Sequence, residues 1–236
     1  MDKGDQLQNM AQIRKLPPAA PQPREAQPAK VAPLWVSTVA TLVFGILYAI
    51  LPEHITLGPS WLPLVLELVI ILPGTTASLI RHPLSARTNR VLAFCLLGIT
   101  TTALIIGVIL LITTLPERHE GREAISLLRT GALLWISNVL VFGLWYWEID
   151  GDGPHKRATA GHQAADFLFP QQADGNTHNW IPHFVDYLFL GFTAAIALSP
   201  ADTYPLSRRA KALMMVEALI AMTILTILIG RAINII

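Results

Sequence analysis

From Val91 to Leu115 the chain reads VLAFCLLGITTTALIIGVILLITTL, without one Asp, Glu, Lys or Arg. As an α-helix rising about 1.5 Å per residue, this run is longer than the ~30 Å hydrocarbon core of a bilayer. Comparable runs recur along the 236 residues, and the charges sit in short clusters between them. Only 14% of the residues are charged and 53% are hydrophobic, where a soluble domain carries about 25% charge. The net charge of +1 says little as a total; its distribution carries the information. The sequence therefore predicts an all-α integral membrane protein whose first partner is the lipid bilayer.

Counting roughly 20 apolar residues per crossing predicts five transmembrane helices, over 34–51, 61–80, 91–115, 124–147 and 210–235. The run 184–199, FVDYLFLGFTAAIALS, is too short for an untilted crossing. It is either a re-entrant half-helix or a short, thin sixth spanning segment. Residues 1–33, rich in Pro, Ala and Gln, are expected to be a disordered tail. Residues 34–236 then form a single membrane domain, with a loop over 148–182. Trp35, Trp61, Trp145, Tyr146, Trp147 and Trp180 fall near predicted span ends, as an aromatic belt requires. GDGP at 151–154 reads as a turn.

Lys and Arg near span ends favour the cytoplasm. Arg14, Lys15, Arg24 and Lys30 precede the first span, Arg81, Arg87 and Arg90 follow the second, and the first loop has none. The N-terminus and the 148–182 loop are then cytoplasmic. A re-entrant 184–199 also leaves Arg208, Arg209 and Lys211 cytoplasmic; a crossing 184–199 puts them outside.

The segment LSPADTYP, 198–205, breaks the apolar pattern twice with proline, which removes backbone donors. Non-helical backbone at membrane depth survives only inside protein or against water. Thr193, Ser199, Asp202 and Thr203 carry oxygens suited to an inorganic cation where several chains meet on an axis. The same residues also spell a helix start: Ser199 as N-cap, Pro200 at the first helical position, an acid two further on. Ser207 is placed to cap the last helix.

The order from about 124 to 235 is helix, loop, DYLFLGFT half-helix, turn and long helix. It resembles the two-helix pore module of the potassium-channel superfamily. Thr193 matches that family's first filter threonine. Asp202 and Pro205 keep its Asp-to-Pro spacing, and Arg208 and Arg209 stand where basic residues follow. The filter core differs: Ile196 to Pro200 replace it, both glycines are missing, and Thr193 to Asp202 is one residue longer. The carbonyl row of a potassium filter needs glycine's backbone freedom, so the resemblance implies a pore-loop outline with a degenerate filter. It further implies an ion-channel-like protein conducting cations as a homo-oligomer, a tetramer by analogy, and, with three spans before the module, an N-terminus and a 148–182 loop outside, opposite to the charge count. Asp202 or Glu217 would supply ring charge. The alternative is a non-conducting scaffold or sensor. LWYWEIDGDGP, DFLFPQ, FTAAIALSPADTYPLSRRAK and RAINII also resemble uncharacterised bacterial multi-pass membrane proteins, over most of the chain after about residue 120. That similarity implies the inner (plasma) membrane and assigns no activity.

Intramembrane charge is costly, so Glu67 and Glu217 are expected to face a bundle interior, a partner or water. Asp186 opens the short segment. Arg231 can snorkel, and Asn138 is expected to bond a neighbouring helix. His155, His162, His178 and His183 match no recognised zinc spacing, so no metal and no cofactor are expected. The single cysteine, Cys95, excludes an intrachain disulfide and reads as a buried, inert thiol. No catalytic set is visible, so the chain is not read as an enzyme. No basic stripe supports nucleic-acid binding.

Overall fold

The structure is a computed structural model, and it describes residues 35–56, 58–79, 85–114, 121–159, 163–176, 180–196 and 203–233. The expected disordered tail lies outside the described residues. Among the described residues, seven α-helices follow in chain order: α1 Trp35–Ala49, α2 Leu62–Leu79, α3 Ala86–Thr113, α4 Gly121–Ile149, α5 Pro154–Thr159, α6 Phe184–Ala195 and α7 Arg208–Ile233. Among the described residues, stretches within α3, α4 and α7 are long and apolar enough to cross a membrane. This is the make-up of a membrane protein. Shorter apolar helical stretches cover Thr38–Ala49, Leu62–Leu72 and Phe184–Ala195.

Local chemistry sets the helix ends. Ser85 precedes α3, and its hydroxyl accepts the Thr88 N–H at 3.1 Å, which satisfies one of the donors a helix start leaves open. Ser207 does the same for α7, accepting from Ala210 N at 3.1 Å, as its position in the sequence predicts. The His183 N–H donates to Asp186 Oδ2 at 2.6 Å. Asp186 therefore serves the first turn of α6, where the helix dipole favours an acid.

Helix α4 is the hub, packed against α1, α3, α6 and α7. Its faces divide the work. Gly107 of α3 lies against Leu134, and Gly131 lies against Leu228 of α7. Trp145 donates to Thr101 Oγ1 of α3 at 2.8 Å. Helices α1 and α2 pack as a pair on the α1 side of the hub.

Two two-residue strands, β1 Phe167–Leu168 and β2 Tyr204–Pro205, pair antiparallel, with Phe167 opposite Pro205 and Leu168 opposite Tyr204. They are the only departure from all-α among the described residues. Helix α6 begins where α4 ends: Trp147 meets the rings of Phe184 and Tyr187 at 6.0 and 5.6 Å. It finishes beside Trp135, whose Nε1 lies 3.5 Å from the Ala195 carbonyl. Thus α6 runs back along the last half of α4, and the chain returns to β1 at β2 before entering α7.

Three expectations are corrected. Tyr146 and Trp147 are buried, at 0% and 2% exposure. They are core residues, not an aromatic belt, because the loop after α4 folds over that helix end and covers them. Cys95 is exposed, beside an open apolar groove lined by Tyr48, Ile99 and Ile106. An apolar run guarantees burial only in water; on a membrane helix, part of an apolar face can meet lipid instead. Asn138 is fully buried, yet neither amide atom has a hydrogen-bond partner among the described residues. The expected interhelical bond is not made.

Candidate functional site

The most built-up part of the molecule is the junction of α4, α6 and α7 with the loop that closes it. The loop begins with a backbone feature. Gly151, Asp152 and Gly153 follow α4 with φ of 56°, 64° and 102°. Two glycines and an aspartate are the residues that accept this left-handed region. The reversal turns Asp150 inward and leaves Asp152 outward.

Asp150 is fully buried. Its Oδ1 accepts the N–H groups of Asp166 and Phe167 at 2.9 and 3.3 Å, and its Oδ2 accepts the Tyr187 hydroxyl at 2.5 Å. One carboxylate thus ties the end of α4 to β1 and to α6. Asp166 makes the matching tie to α7. Arg209 donates to it in a fork, Nε to Oδ1 and Nη2 to Oδ2, both at 2.6 Å. Gly151 N donates to Oδ2 at 3.2 Å, and the Leu206 N–H donates to the Asp166 carbonyl at 2.8 Å. Burial pushes the Asp166 carboxyl up. The Arg209 hydrogen bonds, with Ser207 and the Gly151 N–H, outweigh it and hold the group below its ordinary 3.8.

Arg157 closes the inner side. It is 3% exposed and stacks on Trp147 at 4.6 Å and Tyr187 at 5.1 Å. Its Nη1 donates to the Trp147 carbonyl at 2.8 Å and also to the Asp150 carbonyl. Outside, Asp152 receives Lys156 at 2.6 Å and Arg90 of α3 at 3.1 Å. Exposed pairs of this kind contribute little each, but here they hold α3 to the same closure.

Below the closure lies Glu217, one of the residues singled out from the sequence. It is fully buried on α7, and Tyr146 of α4 donates its hydroxyl to Oε2. Its Oε1 has no partner among the described residues. Gly191 of α6 completes the pocket: a Cβ there would lie 3.1 Å from the Val139 carbonyl, 3.2 Å from Glu217 Oε1 and 3.4 Å from Gly143 N. Gly143 mirrors it, since a Cβ there would lie 3.3 Å from the Leu188 Cα. The two glycines let α4 and α6 approach closely, as small residues do between membrane helices.

The other expected site residues are not gathered here. Glu67 is fully buried on α2, and its carboxyl lies against Gly45 of α1, with no side-chain partner among the described residues. It belongs to a separate helix pair. Thr193 spends its hydroxyl on the Leu190 carbonyl of its own helix at 2.9 Å. Ser199 and Asp202 lie outside the described residues. Glu217 faces the interior of one protomer, away from any outer surface. Among the described residues, no group of three His, Cys, Asp or Glu side chains is placed to hold a metal.

Sequence reasoning missed Asp150, Asp166, Arg157 and Arg209 as a unit. From the sequence GDGP reads as a turn, and no local motif singles out Asp166. The available signal was an acid directly preceding FLF, since a charge beside such a run has to find a partner. No family model, no curated protein and no solved structure matches the chain.

Proposed function

We propose that this chain is an ion-channel-like protein of the inner (plasma) membrane that conducts an inorganic cation as a homo-oligomer. Five helices cross, α1, α2, α3, α4 and α7, while α6 enters and does not cross. The observation that carries the reading is the path of the chain around α6. The segment between β1 and β2 leaves and rejoins the same end of the bundle. The 12 residues of α6 span about 18 Å and the 15 of α1 about 22 Å, both short of a ~30 Å core, so it is the return of the chain to β1, not length, that sets α6 apart. Its C-terminal carbonyls stop at the level of Trp135, near the middle of α4. A helix C-terminus carries partial negative charge, which favours a cation at that depth. Residues 193–202, from Thr193 in the last turn of α6 to Ser199 and Asp202 beyond it, would form the constriction.

Orientation follows from the same geometry. Arg90, Lys156 and Arg209 share the closed end, and the adjoining Arg87, Arg208 and Lys211 add to it. By the positive-inside rule this end is cytoplasmic, so α6 enters from the cytoplasm and α7 carries the C-terminus outside. In proteoliposomes, Asp202→Asn is expected to lower monovalent cation flux severalfold. Tags on the two termini should be cleaved from opposite sides. Termini on one side would make α6 a crossing helix and remove the reading.

The non-conducting scaffold draws on one observation. Glu217 is enclosed within a single protomer and so supplies no ring of charge to a shared axis. That reading predicts no flux and no effect of Asp202→Asn.

A further inference from the structure

We infer that Glu217 is a proton-binding site within the membrane, and that its proton keeps α6 seated against α4. The argument is the chemistry of the notch at Gly191. Glu217 Oε2 is already an acceptor, for Tyr146. Oε1 shares the notch with the Val139 carbonyl oxygen, the two lying 3.2 and 3.1 Å from the same point beside Gly191. Two acceptors face one small, fully enclosed space, and no donor reaches Oε1 among the described residues. A proton on Oε1 would turn it into a donor in a notch whose other polar wall is an acceptor, the Val139 carbonyl, which has a second lone pair beyond its helical bond. Without that proton, a carboxylate oxygen is buried beside a carbonyl, away from bulk solvent. Relief then comes by moving α6, the helix that contributes only a glycine to the notch.

The titratable groups around Glu217 agree with this assignment. Among the described residues, Tyr146 from α4 is in contact, while Glu148, also on α4, is buried beside Gly153 at the closure. From α6, Tyr187 is committed to Asp150 and Asp186 to the first turn. On α7 itself, Arg209 is committed to Asp166. None of these committed groups offers Glu217 a counterion.

The functional meaning rests on the reading of α6 as the re-entrant helix, but the test does not use conduction. Full-length protein in liposomes is titrated while two signals are followed. One is the infrared C=O band of protonated carboxyls. The other is hydrogen exchange of 186–195, corrected for intrinsic rates and normalised to α7. For the wild type, the band falls as pH rises and exchange of α6 accelerates over the same range, by at most about tenfold per pH unit for one proton. Glu67 and Glu148 are buried carboxyls as well, so the Glu217 signal is the wild-type-minus-Glu217→Gln difference: Glu217→Gln, which keeps the shape and the Tyr146 bond, is expected to lose one titrating component and to hold α6 protected at every pH. Tyr146→Phe removes the hydroxyl from the carboxyl and is expected to displace the band. A wild-type-minus-Glu217→Gln difference with no titrating carboxyl component overturns the site. A lost band with an unchanged exchange profile overturns the link to α6. If Glu217→Gln does not fold, a band unmoved by Tyr146→Phe overturns the site. Flux measurements stand apart, so failure of the channel reading leaves these outcomes legible.

Discussion

Arg209→Ala is expected to destabilise the protein by about 2–4 kcal/mol in detergent, and to release α7 from the closure. The figure follows from which partner is left behind. Removing one member of a buried ion pair costs about 3–5 kcal/mol because the other charge stays buried. Asp166 is that other charge, with a side chain 2% exposed, while Arg209 is 50% exposed and part of its contribution is screened. Arg209→Lys restores little, since an ammonium cannot reproduce the two-pronged contact. Adding Asp166→Asn to Arg209→Ala recovers part of the loss, because the neutral amide still accepts from Gly151 N and carries no unpaired charge.

The same pair sets an acid limit. Asp166 sits below its ordinary 3.8 in the folded protein, so its contribution is present above that value and is lost as pH falls through the lowered one. In Arg209→Ala the main lowering cause is gone, so acid unfolding moves to higher pH. Thermal melting against pH on both proteins checks this. An unchanged acid midpoint in the variant would mean that Asp166 takes its shift from elsewhere.

Gly191→Leu is expected to unseat α6. Even a Cβ would stand 3.1 Å from a backbone carbonyl of α4, and backbone does not yield as a side-chain tip does. Overpacking a tight core costs about 1–3 kcal/mol, and here the strain falls on one short helix and not on the whole bundle. Exchange of 186–195 should rise while α3 stays protected. Gly191→Ala should produce a smaller shift of the same kind. The matching Gly143→Leu meets the Leu188 Cα at 3.3 Å, and double-mutant coupling with Gly191→Leu would report that both act on one crossing.

Local propensity does not separate the two glycines from others in the chain. Gly98 and Gly230 have open space where a Cβ would go, although all four sit in apolar runs. Only the crossing of α4 and α6 makes Gly143 and Gly191 indispensable. The same holds for Asp150 and Asp166. Their meaning comes from partners 16 to 43 residues away, a separation that no local pattern encodes.

What the sequence alone determined was the membrane character, the existence of the long helices and their approximate ends. Those follow from length and polarity, which are local quantities: Val91–Leu115 has to be a helix in lipid whatever surrounds it. The Ser207 cap and the shortness of 184–199 were legible for the same reason. The tertiary structure decided which apolar residues face inward, because in lipid both faces of a helix are apolar and hydrophobicity no longer points to the core. It therefore moved Tyr146 and Trp147 inside and Cys95 out. It also decided that α6 doubles back along α4, since that depends on β1 meeting β2 and on carboxylates finding donors across the chain.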